Sequence, residues 1–173
     1  MGRYEEICRM PARELEALLR AGRPPRAEDL AGREFRGTNT PWFTNLLGIK
    51  KFIKGFFNGP DGLEGYNIPV KQNGVSAPWV HKPSDQAPSR FGFYTSGTAT
   101  ERYPGTMMLD YGASARNAWW QPERLLRDYM VVVPGTNIVL GKAYLAFGSV
   151  YVHVSYFILE ELRRTSWKPD ATA

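Results

Sequence analysis

The chain has 173 residues, one cysteine (Cys8) and 22 Lys+Arg against 17 Asp+Glu, for a formal net charge of +5 and a pI near 9.4. That length suits one domain with a sizeable core, and a lone cysteine excludes an internal disulfide. No run of residues approaches the ~20 apolar positions of a membrane span, and the arginines sit beside acids instead of forming a nucleic-acid-binding face.

The N-terminus carries acids and no apolar stretch of the signal-peptide kind, so the chain reads as soluble and cytoplasmic. Residues 11–21, PARELEALLRA, predict a short amphipathic helix. Pro11 suits its first turn, Leu15, Leu18 and Leu19 form one stripe, and Gly22 with Pro24-Pro25 stops it. With its linker this helix makes an N-terminal segment, 1–27. Residues 28–31 give a turn of helix or a loop, and GREFRG (32–37) a first strand. Residues 41–57, PWFTNLLGIKKFIKGFF, place Trp42, Leu46, Ile49, Ile53 and Phe56 at helical spacing, with Lys50, Lys51 and Lys54 on another face. They predict a second helix, stopped by Asn58-Gly59-Pro60-Asp61-Gly62. Such a helix either closes one end of the domain as a lid or lies on a membrane surface, for which three lysines are few.

Strand-like pieces follow at 63–71, 90–96 and 106–111. Between the first two runs a proline-spaced loop, 72–90, in which His81 is expected to be solvated. Residues 112–126 read as a loop and a helical turn begun at Pro122. Residues 127–162 are three runs of Val, Ile, Tyr and Phe cut by Pro134-Gly135 and Gly148-Ser149, a β-meander. Residues 163–173 form a tail. Seven to nine strands in this order predict a mainly β, antiparallel domain over 28–162, with two helices N-terminal to most of the sheet. Consecutive antiparallel strands of this length curl into barrels, and barrels hold ligands.

Leu30-Ala31-Gly32-Arg33-Glu34-Phe35-Arg36-Gly37 resembles the L-x-G-x-W-x-G opening of GXWXG-type, lipocalin-like bacterial proteins of uncharacterised function. Leu126-Arg127-Asp128-Tyr129, Leu140-Gly141-Lys142-Ala143-Tyr144 and Tyr156-Phe157-Ile158-Leu159-Glu160 resemble the end of the segment with which those domains pair. The resemblance covers about residues 28–162, with Phe35 where the signature aromatic is Trp. It implies a single antiparallel up-and-down, lipocalin-like barrel with a central cavity, the closed end plugged by that aromatic. It carries no activity to this chain.

Strand alternation puts Lys142 and Tyr144 on one mixed face and Tyr151, His153 and Ser155 on another. Mixed faces either line a cavity, where a few polar groups orient an apolar ligand, or meet solvent. If they line it, Trp42, Trp119, Trp120, Tyr144, Tyr151, His153 and Ser155 are the ligand-binding candidates. Exposing both Trp119 and Trp120 would be costly, so at least one is expected to pack, over the barrel mouth or between barrel and helix. Acid–base candidates are His153, Tyr144, Lys142, Asp110 and Tyr129. A carboxylate near the interior, from Asp110 or Asp128, would suit such chemistry, although pairing with Arg90, Arg116 or Arg127 is the commoner arrangement. Three readings stay open. One is a carrier or sensor for a small, mostly apolar molecule, and another a cofactor-independent cyclase or isomerase. The third is a haem-binding barrel using His153, since some haem barrels begin with a G-x-W-x-G motif. Haem aside, no cofactor and no metal is expected. The expected partner is a small lipophilic molecule, with neither nucleic acid nor membrane surface, and a homodimer is left open.

Overall fold

The structure is a computed structural model that describes residues 2–40, 44, 48–74 and 76–170. Among them three helices, α1 (Arg3–Ile7), α2 (Ala12–Ala21) and α3 (Ala27–Leu30), precede eight strands. The strands are β1 (Arg33–Asn39), β2 (Lys51–Gly59), β3 (Gly62–Pro69), β4 (Phe91–Thr98), β5 (Met107–Asp110), β6 (Leu126–Val132), β7 (Val139–Phe147) and β8 (Val150–Arg164). Each pairs antiparallel with the next, and β8 returns to β1, so the sheet closes into an up-and-down, lipocalin-like barrel. The expected fold class is the observed one, and the meander of β6, β7 and β8 supplies its longest ladder. Its turns fall at Gly135 and Gly148, both at positive φ (71° and 62°), where a side chain would be strained.

The strands are apolar on both faces because both are covered. Inside, Phe35, Phe56, Leu63, Leu109, Met130 and Leu159 pack with Leu30 of α3. Outside, α1 and α2 lay Tyr4, Ile7, Leu15 and Leu19 on Val131, Leu140, Tyr156 and Ile158. Burying side chains of this size contributes roughly 1.5–3 kcal/mol each, which is what holds two short helices in place. A third cluster, Ile53, Tyr66 and Ile68, lies beneath Trp79 and Trp167. Two glycines allow large rings inside. A Cβ on Gly37 would come within 2.6 Å of the Phe52 ring, and one on Gly141 within 2.0 Å of the Phe157 ring. Each ring crosses the strand opposite it at the one residue type that leaves room.

The second helix expected over 41–57 is corrected. Residues 51–59 are β2, a hairpin partner of β3, and Asn58-Gly59-Pro60-Asp61-Gly62 forms its turn. Trp42 and Leu46 lie outside the described residues. A strand buried on both faces loses the period-two pattern, so Ile49, Ile53 and Phe56 match a helical spacing by coincidence. Lys51 and Lys54 do not share a wet face; each is 1% exposed. Gly55, which would cost about 1 kcal/mol in a helix interior, was the local sign against a helix. His81 is corrected too. Its loop folds down the outer wall, and the ring is buried between Asp85 and Arg163. The last strand runs two residues past 162, and Trp167 beyond it packs on Tyr66 with ring centroids 4.6 Å apart.

Phe35 is 3% exposed and meets Phe56 edge-on at 5.7 Å. Phe35→Ala should cost about 3–5 kcal/mol in chemical denaturation, as a large cavity in a packed core does. A loss under about 1 kcal/mol would place the ring outside the core.

Candidate functional site

The core fills one half of the barrel. Toward the end where β1 stops and β2 starts, the lumen opens into a cavity of about 190 Å³. Its walls are Phe52, Phe91, Leu126, Ala143, Val154 and Phe157, and Asn39 and Ser155 also line it. Polar groups come from four places. Lys54 stands on β2, Asn67 on β3 and Asp128 on β6, and Tyr111 follows the end of β5. β5 pairs with β6 so that Leu109 lies opposite Asp128. Both point inward, which brings Tyr111, two residues on, beside the carboxylate.

The Lys54 ammonium donates to the Tyr111 hydroxyl at 2.6 Å, to Asn67 Oδ1 at 3.2 Å and to Asp128 Oδ2 at 3.2 Å. Its three N–H groups are thereby committed. Tyr111 in turn donates to Asp128 Oδ2 at 2.9 Å. Four aromatic rings surround the cation, with Tyr94 nearest at 4.5 Å and Tyr111, Phe157 and Phe52 at 5.2–5.8 Å; such faces attract a cation electrostatically. The side chains of Lys54 and Asp128 are 2% and 4% exposed. Burial pulls the Lys54 pKa below the ordinary lysine value, and Asp128 acts against that shift. Burial, then the Asp128 charge, hold the Tyr111 phenol well above its ordinary value. The lumen thus holds a buried ion pair bridged by a neutral phenol, in an otherwise apolar wall.

Two acceptors near this group are free. Asp128 Oδ1 takes no hydrogen bond from the described residues. Glu123, which also lines the cavity, has a carboxyl with no hydrogen bond or ion pair among them, and its Oε2 is buried.

Tyr144 and His153 do not line the lumen. They are cross-strand partners with rings 5.6 Å apart on the outer face of the barrel. Lys142, Tyr129 and Tyr151 share that face with them. The reason is register. Ala143 lies opposite Ser155 and Tyr144 opposite His153, so Val154 is an extra residue in β8. A bulge of this kind lets Val154 and Ser155 both line the cavity and turns His153 outward. Of the expected binding residues Ser155 alone is placed in the cavity wall, donating to Asn39 Oδ1 at 3.0 Å; Trp42 is outside the described residues.

The outer group docks α2. Glu16 accepts from Lys142 Nζ at 2.8 Å, Tyr156 at 2.7 Å and Tyr103 at 3.1 Å. Burial, and then Lys142, lower the pKa of His153. Trp119 and Trp120 are 84% and 68% exposed, which corrects the expectation that one must pack. Their packing is mutual, edge to face at 5.7 Å, on the loop before the 3-10 turn Pro122–Leu125. Asp110 pairs with Arg127 at 3.1 Å and accepts from the backbone of Gly112 and Ala113, the commoner arrangement for a strand-end carboxylate. Of the two Asp-Tyr dipeptides it is Tyr111 in one and Asp128 in the other that face the lumen, so the interior carboxylate is Asp128 and the candidates Asp110 and Tyr129 lie outside it. Both histidines lie on the outer wall, so the histidine ligation that a haem reading needs is not offered to the lumen.

Among the described residues, no helix is long and apolar enough to cross a membrane. Comparison of the chain with family models, with curated proteins and with solved structures finds no match.

Burial acts to raise the Glu16 pKa, but the bonds from Lys142, Tyr156 and Tyr103 outweigh it and hold the carboxyl at about 2, against an ordinary 4.5. A depressed carboxylate stabilises the fold above its unfolded pKa, and that contribution fades as pH falls through the folded one. The stability gap between the parent and Glu16→Gln should therefore be widest above about pH 5 and close steadily toward pH 2. A gap independent of pH would show that the carboxylate charge does not hold α2.

Proposed function

We propose that the barrel binds a small, mostly apolar molecule in its lumen, as a carrier or sensor. The observation that carries this reading is the Lys54–Asp128–Tyr111–Asn67 group at the base of a cavity whose walls are otherwise aromatic and aliphatic. Apolar walls with a few convergent polar groups are the usual form of a small-molecule site. An apolar cavity of about 150 Å³ accepts benzene, so about 190 Å³ suits a ligand built on one ring. The resemblance of residues 30–37 to the GXWXG-type opening is part of the proposal, supported by an aromatic at position 35 buried in the interior core. So is a cytoplasmic setting, for which the single cysteine speaks.

One observation favours a second reading, a cofactor-independent isomerase or cyclase. The Tyr111 hydroxyl bridges Lys54 and Asp128, so a proton donor, a proton acceptor and a relay meet at one cavity wall. In that reading Lys54, its pKa lowered, exchanges the proton and Tyr111 hydrogen-bonds the developing charge. A carrier returns its ligand unchanged, whereas an enzyme converts it, and product analysis separates the two.

Binding is tested by titrating the protein with benzyl alcohol and following amide shifts by NMR. Shifts should centre on Ala143, Val154 and Phe157 and spare Tyr144 and His153. Ala143→Leu, which fills the cavity, should abolish the shifts and leave the circular dichroism unchanged. Undiminished binding in Ala143→Leu, or shifts centred on Tyr144 and His153, would contradict a lumen site.

A further inference from the structure

Around Lys54 the hydrogen-bonding capacity left over in the cavity has one sign. At its base the donors are committed. The Lys54 ammonium makes three bonds, Tyr111 donates to Asp128, and the Asn67 amide donates to the Gly92 carbonyl and to Tyr111. What remains are acceptors, Asp128 Oδ1 and the Glu123 carboxyl, the latter with a buried oxygen that no described residue satisfies. Buried polar atoms in native proteins are nearly always paired, and an unpaired one calls for an explanation. The formal charges agree. Of the two lysines in the lining, Lys51 turns its ammonium away to Asn73, Gly74, Ala77 and Pro78, and Lys54 and Asp128 neutralise each other at 3.2 Å, which leaves the Glu123 carboxyl without an ion-pair partner among the described residues.

We propose that the ligand is a small arylalkylamine, bound as its ammonium ion, which donates to Glu123 and to Asp128 Oδ1 with its ring between Phe52, Phe91 and Phe157. This rests on the lumen reading given above and adds the chemical class of the ligand. An anionic ligand beside Lys54 would find the donors of Lys54, Tyr111 and Asn67 already engaged and two carboxylates in the same cavity, the arrangement that disfavours like charge. A neutral alcohol would satisfy one acceptor but leave the Glu123 charge without a counter-ion. An ammonium ion satisfies both, and the negative faces of aromatic walls favour it further. Lys54 then acts as a fixed wall charge that holds Asp128 in position, and Glu123 is the residue that selects for positive charge.

The experiment is calorimetric titration of the full chain at pH 7 with three ligands of one shape, benzylamine, benzyl alcohol and benzoate, repeated on Glu123→Gln. Benzylamine should bind about tenfold more tightly than benzyl alcohol, as one charge-assisted hydrogen bond predicts, and benzoate should show no heat of binding. Glu123→Gln keeps the shape of the side chain. It should weaken benzylamine about tenfold while benzyl alcohol changes by less than about twofold, and the retained alcohol binding shows that the variant is folded. Equal binding of benzylamine and benzyl alcohol, or no effect of Glu123→Gln on benzylamine, overturns the amine inference and leaves the lumen site standing. Benzoate binding as tightly as benzylamine overturns it as well. No binding of any of the three removes the lumen reading along with it.

Discussion

An ammonium group taken wholly out of water must be given a counter-charge and an acceptor for each of its protons, and Lys54 imposes that requirement on the inside of this barrel. Its partners come from β3, β6 and the residue after β5, so three separate segments are tied to one atom of β2. Removing a charge of this kind from water costs several kcal/mol, which attraction to Asp128 offsets only when the surrounding hydrogen bonds are complete. Here they are complete for the lysine and incomplete for the carboxylates. Aliphatic side chains could not fill the space beside such a group without leaving those oxygens unpaired. The barrel therefore packs solidly around Phe35 and Phe56, and stays open where the polar group begins.

The same rule operates on the outside, where buried charges hold the covering segments to the barrel. Lys51 reaches out under Trp79, its Nζ 3.8 Å from the ring centre, and donates to the carbonyls of Gly74, Ala77 and Pro78, which fixes the course of the loop after β3. Glu34, fully buried, accepts from Tyr66 at 2.9 Å and Arg163 at 2.7 Å and ties the end of β8 to β1. Lys142 and Glu16 do the same for α2. Apolar burial supplies the attraction that holds these segments, and the buried charge supplies the position.

The general architecture was legible in the residues because turns and β-branched runs are local signals. The meander from 127 to 162, its two glycine turns and the aromatic at Phe35 could all be read without knowing the fold. β2 could not, because covering both faces removed the alternation that marks a strand, and its two lysines looked like a wet face. The site was harder still, since lumen and outer wall differ by one residue of register. Asp110-Tyr111 and Asp128-Tyr129 were the right dipeptides, yet the members that face inward, Tyr111 and Asp128, depend on the pairing of β5 with β6. Tyr144 faces outward because its neighbour Ala143 faces in, and the extra residue Val154 in β8, which has no sequence mark, turns His153 outward beside it. Glu123, on the 3-10 turn that leads into β6, had no periodic signal at all.

A binding cavity of this kind follows from the buried charge pair, so the pair is the claim on which the account stands. Its most direct test is a double-mutant cycle by chemical denaturation with Lys54→Met, Asp128→Leu and the two combined. Each single variant strands one charge, and Lys54→Met should cost about 3–5 kcal/mol. The double variant, with neither charge left to satisfy, should be more stable than the two losses summed by at least about 1 kcal/mol. Losses that simply add, within about 0.5 kcal/mol, would show that Lys54 and Asp128 do not act as a pair and that the interior of the barrel is organised by something else.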